Sequence, residues 1–124
     1  MKKTQSVIKS YLAARKWLDL KPADIAKSIS IEAAELLEHF QWSNPTKKEV
    51  VDKPEVMKEI KNELADIMIY CFEMATILKF DAIKATREKL KKVKEKYPAK
   101  LMRSSIANND YWEIKKKYRR EQNS

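Results

Sequence analysis

The stretches IEAAELLEHFQW (residues 31–42) and NELADIMIYCFEMA (residues 62–75) decide the fold. Both read as amphipathic helix, because apolar residues return at three- and four-residue steps. At about 100° per residue, Ile25, Ile29, Leu36 and Phe40 fall within an arc of about 60° on the first helix. Val56, Ile60, Ile67, Cys71, Met74 and Leu78 form a similarly narrow stripe on the second, so Cys71 reads as core. Each stripe is bordered by a carboxylate, with another three residues on: Glu32 then Glu35, and Glu63 then Asp66. The two helices carry the same signature, a carboxylate against the core stripe and another three residues on.

Outward from these stretches, Pro22, Pro45, Pro54 and Pro98 divide the chain into helix-length pieces. Helices are expected over residues 4–18, 22–41, 54–78 and 81–96, with Asp81 as an N-cap and a loop at 43–45. The polar segment 104–124, ending KKKYRREQNS, is read as a basic tail with room for a short helix around 111–118. The expected fold class is all-α, a four-helix bundle over residues 1–103 followed by that tail.

Composition removes many alternatives. The chain has 124 residues and no glycine, which excludes the P-loop, the dinucleotide GxGxxG and the GxSxG nucleophile elbow. One cysteine and one histidine leave no intrachain disulfide and no Cys/His zinc site. No stretch approaches the roughly 20 apolar residues of a membrane helix, so a soluble cytoplasmic protein without a membrane partner is expected. Lys and Arg number 27 against 18 Asp and Glu, a net charge of +9. The excess gathers in Lys84, Arg87, Lys89, Lys91, Lys92, Lys94 and Lys96 and again in residues 115–120. Such runs are most often solvated faces. They also attract an anionic substrate or nucleic acid.

A carboxylate beside an apolar stripe is costly unless paired or metal-bound. Lysines elsewhere in the chain offer the plainer explanation, a surface salt-bridge face. No Lys or Arg lies within either stripe, however. Four carboxylates without imidazole make a hard oxygen shell suited to Mg²⁺, with Mn²⁺ as a substitute, and such a site most often handles phosphate oxygens.

Glu32-Ala-Ala-Glu35-Leu-Leu-Glu38-His39-Phe40-Gln41-Trp42, followed by Glu63-Leu-Ala-Asp66-Ile-Met-Ile-Tyr70, resembles the MazG-like all-α nucleoside triphosphate pyrophosphohydrolases. Arg15-Lys-Trp17 and the KYPAKLMRSS run from Lys96 to Ser105 are similar to the dCTP pyrophosphatase branch. The resemblance covers residues 15–105. Val93 stands where the family commonly has asparagine, and Ile31 where larger relatives place a third glutamate.

The resemblance implies Mg²⁺-dependent hydrolysis of a (deoxy)nucleoside triphosphate, dCTP-like, to monophosphate and pyrophosphate. It implies Glu32, Glu35, Glu63 and Asp66 as metal ligands, and Trp17, Trp42, Tyr70 and Lys89 as substrate-binding residues. It also implies a homodimer or homotetramer. With those ligands assigned, Glu38 is the candidate catalytic base, although an exposed glutamate is as good a reading of it. Trp17 and Trp42 read equally as packing residues, and His39 as packed or solvent-linked rather than a ligand. The alternative is a non-catalytic basic helical protein that binds nucleic acid or a protein partner.

Overall fold

The computed structural model describes residues 2–99 together with 113, 115–117, 119 and 120. Every element among the described residues is a helix: α1 (Lys2–Ala14), α2 (Pro22–Glu38), α3 (Lys47–Val51), α4 (Pro54–Ile77) and α5 (Ala82–Lys96). None of them is long and apolar enough to cross a membrane. The chain forms two compact units, Met1–Ile83 and Lys84–Ser124. The expected boundary between residues 103 and 104 lies outside the described residues, as does most of the expected 111–118 helix.

Proline starts both long helices. Pro22 and Pro54 occupy the first helical turn, where a missing N–H costs nothing. The short α3 is absent from the sequence reading, because five residues carry too little periodicity to detect. Its cue is a capping contact: Thr46 Oγ1 accepts the backbone N–H of Glu49 at 3.2 Å.

Three helix C-termini differ from expectation. Helix α1 stops at Ala14, four residues early, because the chain reverses at Lys16 with φ 58°. The Lys16 N–H then bonds Ala13 O at 3.1 Å and the Trp17 N–H bonds Leu12 O at 2.9 Å. Helix α4 ends in the same way: Lys79 has φ 63°, its N–H reaches Thr76 O at 3.2 Å, and the Phe80 N–H reaches Ala75 O at 2.9 Å. Both are Schellman-type ends, with lysine in the left-handed position that glycine usually takes. Among the described residues, this chain without glycine accepts that strain at Lys16 and Lys79. Helix α2 stops at Glu38 rather than Gln41, where the Phe40 N–H turns back to Leu37 O at 2.9 Å.

Within Met1–Ile83, α4 is the central element, packed by α1, α2 and α3. Ile8 and Leu12 of α1 bury against Phe72 of α4, with Ile77, Ala82 and Ile83 around them. Gln5 fixes the end of this pair: its Nε2 donates to Phe80 O at 2.8 Å and its Oε1 accepts the Ala82 N–H at 3.0 Å. On the α2 side Ile25 is the buried residue. Cys71, expected in the core, is exposed. It lies on a flank of α4 that also exposes Leu64 and Met68, two turns and one turn before it.

Candidate metal and phosphate site

Helices α2 and α4 bring the predicted carboxylates into one neighbourhood. Glu32 feels the charges of Glu35, Asp66 and Glu63. Seven residues further along α2, His39 faces Glu63 and Glu59. The partners run backwards along α4 as the chain runs forwards along α2, so the two helices are antiparallel.

The site is strongly acidic and partly desolvated. Glu32 and Glu63 are half-buried, and Glu35 and Asp66 are exposed. Loss of solvent is the largest effect raising the Glu32 carboxyl above its ordinary pKa of 4.5. Next come a side-chain hydrogen bond with Glu35 and repulsion from Glu35, Asp66 and Glu63. Oε2 of Glu32 and Oε2 of Glu63 are both shut from solvent with no hydrogen-bond partner. Glu32 Oε2, set among other carboxylates, is electrostatically frustrated, and a cation relieves that frustration directly.

The donor chemistry therefore fits a hard divalent cation. The spacing is looser than a closed shell, since no three Asp, Glu, His or Cys side chains among the described residues stand close enough to hold a metal ion as placed.

His39 is better connected than its sequence suggested. Its Nε2 lies 2.6 Å from Glu63 Oε2 and its Nδ1 lies 3.6 Å from Glu59 Oε2. The nearer contact sets the imidazole directly against the solvent-excluded Glu63 Oε2. Glu59 was missed because it precedes Glu63 by one helical turn outside the repeated spacing. Glu73 was missed too: it is buried at 6% exposure on α4, and burial raises its carboxyl pKa. An isolated glutamate in an apolar helix carries no spacing signal at all.

The other predicted residues scatter. Glu38 is exposed at the last position of α2, and Tyr70 is half-buried on α4. Trp17 packs edge-on to Tyr11, centroids 5.9 Å apart, with the Arg15 guanidinium 4.0 Å above the Tyr11 ring. Trp42 is 90% exposed. Lys89 is exposed on α5 in the second unit. A cleft of about 250 Å³ adjoins the His39 end of the site, lined by Phe40, Asn44 and Lys53 among others. A larger cleft of about 800 Å³ between α1 and the end of α4 contains none of the four carboxylates.

The MazG-like family model matches residues 27–123, which include all four carboxylates. The chain belongs to the MazG-like family. This MazG-like chain is also similar to a pyrophosphatase from Archaeoglobus fulgidus DSM 4304, with 34% identity and a TM-score of 0.64. That match covers 79% of this chain and 92% of the archaeal one. No curated protein matches it.

Proposed function

We propose that this MazG-like chain hydrolyses a (deoxy)nucleoside triphosphate to its monophosphate and pyrophosphate with Mg²⁺, and that a pyrimidine such as dCTP is its substrate. The observation that carries this reading is the acidic neighbourhood of Glu32, Glu35, Glu63 and Asp66, in which Glu32 Oε2 is shut from solvent with no hydrogen-bond partner. Family membership and the similarity to an archaeal pyrophosphatase support the same reaction class.

In this reading those four residues hold Mg²⁺, or Mn²⁺ in its place. When bound, the metal neutralises phosphate oxygens and makes a water more acidic. The chain itself supplies orientation and proton handling. Glu38, one turn beyond Glu35, takes the proton of the attacking water. Trp17, Trp42 and Tyr70 hold the base and sugar, and Lys89 contacts phosphate. Residues 1–103 form the catalytic domain.

The chain acts as a homodimer or homotetramer in the cytoplasm, clearing unwanted nucleotides from the pool. Support for assembly comes from the apolar flank of α4, where Leu64 and Met68 are 48% and 49% exposed, and from Trp42. A neighbouring copy covering that flank would complete the nucleotide pocket.

The test is product analysis over a panel of nucleotides with Mg²⁺, resolving pyrophosphate from orthophosphate. Pyrophosphate formation that disappears in Glu63→Gln is expected. Orthophosphate alone would refute the proposed bond cleavage, and unchanged turnover in Glu63→Gln would refute the assigned site.

A further inference from the structure

Net charge is divided between the two compact units without overlap. Residues 1–83 contain 13 Lys and Arg and 13 Asp and Glu, while residues 84–124 contain 14 Lys and Arg and 5 Asp and Glu. The whole net charge of +9 therefore belongs to the second unit. The acidic chemistry described above lies entirely in the first.

Within the second unit the cations of α5 are ordered. Lys84, Arg87, Lys91 and Lys94 follow one another at steps of three, four and three residues, and all four are exposed. At about 100° and 1.5 Å per residue they share an arc of about 80° and extend over about 15 Å. Glu95 and Glu88 border this stripe, about 20° and 40° beyond Lys84 on the helical wheel, and offset only part of its charge. The helical positions Lys115, Lys116, Lys117, Arg119 and Arg120 add five more cations to the unit.

We propose that this unit binds the phosphate backbone of double-stranded nucleic acid through the Lys84-Arg87-Lys91-Lys94 stripe, a function separate from nucleotide hydrolysis. The stripe is matched in charge to a polyanion, and its rows of long side chains suit phosphates spaced along a strand. The helix is poorly built for a lipid surface, which requires a broad apolar face with aromatic or leucine side chains. Here Ala82 and Ile83 are committed to the Ile8-Leu12-Phe72 core, and Leu90 is the one large exposed apolar residue of the helix. No aromatic interrupts the cations of α5, so backbone contact is expected rather than base stacking.

The decisive experiment is fluorescence anisotropy of labelled DNA and RNA duplexes of equal length and mixed sequence, titrated with the full chain across a salt series. Sequence-independent binding is expected, with log K falling against log salt at a slope of about −3 to −4 for four phosphate contacts. Arg87→Gln, Lys91→Gln and Lys94→Gln together should flatten that slope by about 2 to 3. The charge-keeping pair Lys91→Arg and Lys94→Arg should bind as wild type, which separates charge from folding. The DNA and RNA arms distinguish which duplex the stripe prefers.

Absence of duplex binding at low salt, or an unchanged slope in the triple variant, would overturn the proposal. So would binding to anionic vesicles without binding to either duplex, or a raised KM for dCTP in the triple variant without duplex binding. Nucleotide hydrolysis is read on the same samples. Its absence would refute the proposed reaction and leave duplex binding standing.

Discussion

Helices α2 and α4 carry the same carboxylate spacing in different surroundings. Helix α4 is anchored by buried Phe72 and Ala75, and its Glu63 has the His39 ring against it. Helix α2 has Ile25 as its buried residue, and the charges acting on its Glu32 are those of other carboxylates. Equal spacing therefore does not give equal electrostatics. What distinguishes the two motifs is the neighbour that the far end of α2 delivers: an imidazole seven residues after Glu32 lands beside Glu63, leaving Glu32 as the more frustrated group. A divalent cation should relieve α2 more than α4.

The largest expected effect tests whether both helices contribute ligands. Glu32→Gln and Glu63→Gln should each lower Mg²⁺-dependent turnover by more than about 100-fold, measured as pyrophosphate release. If only one of them does so, the site belongs to one helix. Anchoring is tested next. Phe72→Ala should cost about 3–5 kcal/mol and Ile25→Ala about 2–4 kcal/mol in denaturant unfolding. The order would reverse if α2 rather than α4 were the rigid side.

The third prediction concerns protons. The Glu32 pKa lies above 4.5 in the folded chain, so the native state holds this proton more tightly than the unfolded state does. The contribution of Glu32 to metal-free stability is then fully present below the unfolded value and is lost as pH rises through the raised one. Glu32→Gln keeps the side chain neutral, so its metal-free Tm should exceed that of wild type at neutral pH and converge with it near pH 4.5. A parallel offset at all pH values would contradict the assignment. His39→Leu should weaken Mn²⁺ binding about tenfold, read as a metal-induced thermal shift, with His39→Gln retaining more of it. The smallest effect is at the helix ends. Lys16→Gly should stabilise by about 0.5 kcal/mol, because release of left-handed strain slightly exceeds the added freedom of the unfolded chain.

Much of this was legible in the sequence because helices write their faces in a fixed period. The long helices and the shared carboxylate border of α2 and α4 follow from that period, and the prolines mark where both helices start. The ends of α1 and α4 were misjudged because lysine stands at left-handed positions where glycine would have announced a stop. Cys71 was misplaced because one apolar stripe on α4 was treated as one buried face. In fact Leu64, Met68 and Cys71 open onto the surface beside it. The His39–Glu59–Glu63 cluster and buried Glu73 depend on tertiary contact and have no local spacing of their own.

The most direct test of the carboxylate site is a Mg²⁺ titration followed by thermal unfolding of the wild-type chain and Glu32→Gln at neutral pH, with released pyrophosphate measured in parallel. A saturable rise in Tm and pyrophosphate formation in wild type, both lost in the variant although its metal-free Tm is higher, is the predicted result. An equal Mg²⁺ response in both proteins would contradict a metal site built on Glu32, Glu35, Glu63 and Asp66.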